Sequence, residues 1–179
     1  MSLIKSISGF RGTIGGKEGT ALTPIDVVKF TSAFAQFIKE SANKDKLKIV
    51  IGRDARISGE MVSNLVVGTL MGMGVDVVDT GLSTTPTVEM AVVDQKADGG
   101  IILTASHNPT HWNALKLLNG KGEFINAKEG ERVLFLADNP DFNFAEVMQL
   151  GSCIKDNSTI DMHIEKVINL PLVDVEAIE

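Results

Sequence analysis

Gly99-Gly100-Ile101-Ile102-Leu103-Thr104-Ala105-Ser106-His107-Asn108-Pro109 is the stretch on which the fold turns. Its first five residues form a short apolar run, and Asn108-Pro109 forces a turn soon after; this is the pattern of a fully buried strand. Ser106 then falls on the loop leaving that strand. In open α/β sheets the carboxyl edge of the strands is where ligands bind. On composition alone a plainer reading stays open, in which Ser106 and Asn108 only supply turn hydrogen bonds.

The flanking sequence alternates in period. Thr23-Pro24-Ile25-Asp26 supplies an N-cap, a proline at the first helical position and an acid at the third, and Val27, Val28, Phe30, Phe34, Phe37 and Ile38 follow at helical spacing. Leu47 to Ile51 reads as a strand. Ser58 reads as the cap of a helix running to about Met73 and stopped by Gly74, and Val75 to Val78 as the next strand. Thr85-Pro86 opens a helix to about Lys96. Strand, helix, strand, helix, strand predicts a parallel sheet with right-handed crossovers. Leu115 to Leu118 reads as an edge strand, and Asn126 with Glu129 opens a further helix. Asp138 to Asp156, rich in Asn, Asp, Pro and Gly, reads as irregular connection, followed by a helix from Ser158 to about Asn169.

The composition is that of a globular domain: 179 residues, 44% hydrophobic and 22% charged, enough for one good core. No apolar run approaches membrane-span length and no signal-peptide pattern opens the chain, so the expected location is cytoplasmic. The single Cys153 excludes an internal disulfide and stands without metal-ligand spacing, as a structural thiol would. The net charge of −6 is unevenly spread, with residues 1–122 slightly basic and residues 123–179 strongly acidic. An acidic total without a basic stripe argues against nucleic acid as a partner. The acidic half reads as a solvated helical surface.

Four strings carry a resemblance. Thr104-Ala105-Ser106-His107-Asn108-Pro109 resembles the phosphoserine loop of the α-D-phosphohexomutases, the family of phosphoglucomutase, phosphomannomutase and phosphoglucosamine mutase. Gly9-Phe10-Arg11-Gly12-Thr13, Gly52-Arg53-Asp54-Ala55-Arg56-Ile57-Ser58-Gly59 and Trp112-Asn113-Ala114-Leu115-Lys116 match in the same order. Ala114 departs from the glycine more usual in the family's N-G-x-K string. The resemblance covers nearly the whole chain but only the first of the domains such enzymes have. It implies an α/β domain of three layers, α/β/α, with a mostly parallel sheet and one antiparallel edge strand over residues 1–150. Residues 151–179 would be a connecting helix and the start of a second domain. The apolar tail Leu170 to Glu179 has no terminating signal, which reads as a fragment of a longer protein.

The resemblance also implies a chemistry. Ser106 would carry the phosphoryl group moved between the 1- and 6-hydroxyls of a hexose phosphate, and Mg²⁺ would bind one of its phosphate oxygens. Lys116 would help shuttle the proton of the accepting or departing hydroxyl. Arg11, His107 and Asn108 would bind the phosphosugar, with His107 beside the reaction. The family's other metal ligands, the aspartates of a D-G-D-x-D-R loop in a later domain, have no counterpart here, since Asp76 and Asp79 come closest in spacing but read as ordinary polar positions. The chain alone is therefore expected to bind metal weakly and to turn over little or nothing; its partners are the phosphosugar and the missing domains of the same chain, with no membrane and no nucleic acid. T-A-S leans toward the phosphoglucomutase and phosphomannomutase branch. For Lys116 the residues alone also allow an edge lysine that discourages sheet pairing. Asp54 reads as the partner of one neighbouring arginine, holding its loop, while the other raises the local positive potential. A serine-hydrolase reading is disfavoured, because His107 adjoins Ser106 and no G-x-S-x-G elbow is present. A different class of protein stays open: a noncatalytic phosphosugar-binding or interaction module of the same fold.

Overall fold

The computed structural model describes residues 2–7, 9–42, 44 and 46–177. Strands β1 (Ile4–Ser6), β2 (Gly9–Thr13), β3 (Leu47–Arg53), β4 (Val75–Leu82), β5 (Gly99–Leu103), β6 (Trp112–Asn119) and β7 (Cys153–Lys155) form one sheet in the order β1-β2-β6-β5-β3-β4-β7. Helices α1 (Pro24–Ala42), α2 (Gly59–Gly72), α3 (Thr85–Asp94), α4 (Ala127–Asp138) and α5 (Thr159–Ile168) cover it. Parallel pairing joins β5 to β3, β3 to β4 and β4 to β7. Antiparallel pairing joins β5 to β6, β6 to β2 and β2 to β1. Thus β2, β3, β4, β5 and β7 point one way, and β1 and β6 the other.

The three-layer, mostly parallel reading holds, with a correction of detail. The antiparallel edge strand is β1, while β6 lies inside the sheet, because Gly9–Thr13 pairs along its outer side instead of forming a free turn. Gly9 makes this possible. It has φ +145°, and a Cβ there would come within 2.0 Å of the Leu115 carbonyl oxygen, so only glycine allows the two backbones to approach this closely. The stretch read as irregular connection likewise holds β7, whose residues pair with Val77–Asp79. Sheet and helical layer thus continue past residue 150, since α5 packs on α3.

Local chemistry accounts for the helix starts. At α1, Asp26 accepts from the Thr23 amide at 3.1 Å and, fully buried, also from the Gly19 amide at 3.0 Å. The predicted capping box of Asn126 and Glu129 is complete at α4. Helix α3 starts at Thr85 as read, capped by Thr84, whose side chain accepts from the Thr87 amide. Ser58 makes no side-chain cap bond at α2; its hydroxyl accepts instead from Asn113 Nδ2 at 2.9 Å, tying that helix start to β6.

Two apolar cores follow from strand alternation. On one face α1, α2 and α4 cover Ile49, Ile51, Val75, Val77, Ile101, Leu103, Leu115 and Leu117, and Phe10 of β2 stacks on Phe30 of α1 with ring centroids 3.8 Å apart. On the other, α3 buries Val88, Ala91 and Val92 against Val50, Val78, Ile102 and Leu118. His163 is half-buried, and its Nδ1 lies 2.8 Å from Thr87 Oγ1, joining α5 to α3. Cys153, expected as a structural thiol, is exposed on β7; burial first, and the nearby Asp79 carboxylate second, raise its thiol pKa, which favours the neutral form. Among the described residues no helix is long and apolar enough to cross a membrane.

Candidate functional site

The second helical layer lies over β3, β5 and the Leu118 end of β6, and leaves β2 and the first part of β6 open on that face. On β2, Phe10 turns into the core, so Arg11 faces the opposite side; on β6, Leu115 and Leu117 turn into the core, so Ala114 and Lys116 share Arg11's side. Register places Arg11 opposite Ala114, and Lys116 between Gly9 and Ile102. The loop after β5 closes over this surface. A cleft of about 420 Å³ results, lined by Arg11, Thr104, Ser106, His107, Asn108 and Lys116 with Ser6, Gly9, Phe10, Ala105, Ala114 and Leu115. Every residue expected at the site from the sequence therefore lines one cavity.

The electrostatics of the cleft are one-sided. Arg11 and Lys116 bring two cations, and among the described residues no carboxylate lines the cavity. Arg11 has no hydrogen-bond or ion-pair partner among the described residues, and the Lys116 ammonium stands 5.9 Å from the Phe124 ring centroid. A pair of cations beside a hydroxyl, without a neutralising acid, favours an anionic ligand. Ala114 sits in β6 with negative φ and pairs normally, so its departure from glycine leaves this surface intact.

The serine loop is a tight turn. Ser106 has φ +54°, in the left-handed region that non-glycine residues rarely occupy. Its amide donates to Thr104 Oγ1 at 3.0 Å, and the Asn108 amide and side-chain Nδ2 donate to the Ala105 carbonyl at 3.1 and 2.8 Å. Asn108 thus serves the turn as well as lining the cleft. Ser106 and His107 are both exposed. A hydrolase reading gains nothing from this turn, since among the described residues no acid lines the cleft to orient His107.

Sequence reasoning missed the part that holds this loop. Arg56 pairs with Asp54, as expected of one arginine in that string, Nε donating to Oδ2 at 3.1 Å. Its two terminal nitrogens also donate to four carbonyls: Ser106 at 2.7 Å, Asn108 at 2.8 Å, Pro109 at 2.9 Å and Trp112 at 3.1 Å. A left-handed non-glycine residue costs about 1–2 kcal/mol. A hydrogen bond to a charged group contributes about 1.5–3 kcal/mol, so one or two of these bonds offset the strain at Ser106. Arg53, the other arginine, donates among the described residues only to the Asp54 carbonyl, at 3.2 Å.

The described residues do not make a metal centre: no group of three or more His, Cys, Asp or Glu is placed to hold an ion. Asp76 is engaged by Ser152 and Lys46, and Asp79 accepts from the Gly81 amide. A Mg²⁺ ion needs near-octahedral oxygen ligation. Ser106 would supply it phosphate oxygens and the cleft no carboxylate, so the residues present do not fit the ion by themselves.

Comparison with known proteins bears on the same surface. The sequence matches the family described as phosphoglucomutase/phosphomannomutase, alpha/beta/alpha domain I, over residues 3–143. It is 36% identical over 170 residues to a phosphoglucomutase/phosphomannomutase of Thermococcus kodakarensis, covering 94% of this chain and 36% of that protein. A phosphoglucosamine/phosphogalactosamine mutase of Sulfurisphaera tokodaii is 32% identical over 180 residues, covering 100% of this chain and 37% of its own length. The fold is shared with the crystal structure of a phosphoglucomutase/phosphomannomutase family protein from Burkholderia thailandensis, with TM-score 0.72, 23% identity, and coverage of 92% of this chain and 36% of that one. This chain spans little more than a third of the length of the curated relatives it matches. With the serine loop and the cationic strand pair both falling inside the matched residues, the chain belongs to the phosphoglucomutase/phosphomannomutase family, as its domain I.

Proposed function

We propose that Ser106 is the phosphoryl carrier of a phosphohexomutase that moves a phosphoryl group between the 1- and 6-positions of a hexose phosphate. The observation that carries this reading is the placement of an exposed serine, held at positive φ, over a cleft with two cations and, among the described residues, no lining carboxylate. Phosphoserine brings about −1.5 to −2 charges at neutral pH. Arg11 and Lys116 offset that charge, and it stays offset as it spreads over oxygens in the transition state.

The first half-reaction starts from phosphorylated Ser106. A sugar hydroxyl attacks phosphorus in line, the new P–O bond forms as the bond to Ser106 Oγ breaks, and the proton lost by the hydroxyl ends on Oγ. The product is a hexose bisphosphate. After the sugar reorients, Ser106 Oγ attacks the other phosphate and the steps reverse, which regenerates the phosphoserine. Lys116 is the group in the cleft suited to pass the proton; Arg11, with its fork unspent, grips phosphate oxygens. His107 and Asn108 contact the sugar phosphate. Mg²⁺ would neutralise phosphate charge, with its remaining ligands outside this chain. The groups that recognise the far end of the sugar also belong outside it, in line with the greater length of the relatives.

The test is intact-mass measurement of the full-length protein after exposure to hexose 1,6-bisphosphate. One added phosphate, lost in Ser106→Ala together with mutase activity, is the expected result. A protein that takes up no phosphate, or a Ser106→Ala variant as fast as the parent, would remove the basis for this reading and favour a noncatalytic phosphosugar-binding module.

A further inference from the structure

We infer that Arg56 is a positioning residue for phosphoryl transfer: by gripping the carbonyls of the serine loop, it fixes the direction in which Ser106 Oγ faces the cleft. This inference rests on the reading of Ser106 as phosphoryl carrier.

A guanidinium has five N–H donors in a planar fork and no acceptor. In Arg56 all five are spent: Nε on Asp54 Oδ2, Nη1 on the carbonyls of Pro109 and Trp112, and Nη2 on those of Ser106 and Asn108. The Arg56 amide adds a second bond to Asp54, to Oδ1 at 3.0 Å. Its side chain is only 11% exposed. Arg56 therefore has nothing left to offer a substrate, unlike Arg11, which has no partner among the described residues and lines the cleft. Two arginines near one serine are thus divided between two tasks.

The geometry of the grip explains why it bears on the reaction. The four carbonyls belong to Ser106, the turn that follows it and the first residue of β6, so one planar group ties the serine loop to the strand that carries Lys116. Asp54, at the end of β3, holds that group from the parallel side of the sheet; its amide in turn donates to the carbonyl of Leu103, the last residue of β5, at 3.1 Å. The left-handed Ser106 is therefore anchored at its amide by Thr104 and at its carbonyl by Arg56. With the backbone pinned on both sides, the Cα–Cβ bond of Ser106 has one direction relative to Arg11 and Lys116, and the hydroxyl is limited to the staggered positions about that bond. In-line displacement demands such a fixed direction, since a shift of about 1 Å can cost about 100-fold in rate. A lysine here has three donors in a tetrahedral array and cannot serve four carbonyls in the plane of a fork.

The experiment uses the full-length protein and reads kcat and KM for the hexose phosphate, with phosphate uptake at Ser106 from hexose 1,6-bisphosphate followed by mass. Arg56→Lys is expected to lower kcat and the uptake rate about 100-fold. Its KM should stay within about twofold, since Arg56 touches no substrate. Arg56→Ala is expected to regain rate on addition of millimolar guanidinium, which a general folding defect would not do. Asp54→Asn loosens the grip while leaving the site filled, and should lower kcat several-fold with KM unchanged. Circular dichroism and Tm establish that each variant is folded. A parental kcat in folded Arg56→Lys overturns the inference, and if that variant does not fold, a parental kcat in Asp54→Asn does so. So does a loss confined to KM. The two readings separate cleanly: if the parent takes up phosphate and Arg56→Lys matches it, only this inference falls, whereas a parent that takes up none brings down the carrier reading and this inference with it.

Discussion

The two halves of the sheet are put to different uses. In the parallel half, β3, β4 and β5 are covered by helices on both faces, and all five residues of β5 are buried. In the antiparallel half, β2 and β6 are packed by α1 on one face, while on the other β2 and the first part of β6 are open and only Leu118 is covered, and there Arg11, Ala114 and Lys116 line the cleft. A strand such as β5, buried on both faces along its whole length, has no position for a charge, while a strand with one open face can carry one at every second residue. Stability and chemistry are thus assigned to neighbouring strands of the same sheet. The serine loop sits at the seam, leaving β5 and reaching toward β6.

Substitutions in each half sharpen or break this contrast. The largest loss of stability is expected at the seam between β2 and β6: Gly9→Ala places a methyl 2.0 Å from the Leu115 oxygen and should cost at least about 4 kcal/mol, or prevent folding. Urea unfolding measures it, and a near-parental midpoint would mean that the two strands are not locked together by close approach. Next is Ile101→Ala in the parallel half, where a fully buried side chain is removed at a cost of about 3 kcal/mol. While folded, this variant should take up phosphate at Ser106 at the parental rate; a large loss of uptake would show that the parallel half does more than support.

Lys116→Met inverts that pattern. Its stability should change by no more than about 0.5 kcal/mol, while phosphate transfer falls about 100-fold. Equal losses in both would undo the division of labour.

The smallest effect concerns α5, on the outer layer of the parallel half. Hydrogen bonds from the Ser158 hydroxyl and amide hold the Asp156 carboxyl below its usual pKa, burial opposes them, and Gln95 adds to the lowering. A carboxylate with a depressed folded pKa stabilises fully above its unfolded pKa of about 3.9, and that contribution is lost as pH falls through the folded value. Loosening of α5 below about pH 4 is expected to amount to less than about 1 kcal/mol, because the pair is solvent-screened. Amide exchange in α5 compared at pH 6 and pH 3 detects it, and Asp156→Asn should flatten the difference.

The sequence by itself determined the parallel half and its helices. Apolar runs such as Gly99–Leu103, helical spacing from Val27 to Ile38, and the Asn126–Glu129 box are local signals whose physics acts within a few residues. It also singled out Ser106, Lys116 and Arg11, because they stand in recognisable strings. Tertiary structure alone decided where the short strands go. Ile4–Ser6, Gly9–Thr13 and Cys153–Lys155 are too short to declare themselves, and become strands because partners offer unpaired backbone groups along β2, β6 and β4 respectively. The task of Arg56 is likewise tertiary. Its acceptors are four main-chain carbonyls about fifty residues away, and a carbonyl leaves no trace in the identity of the side chain that carries it.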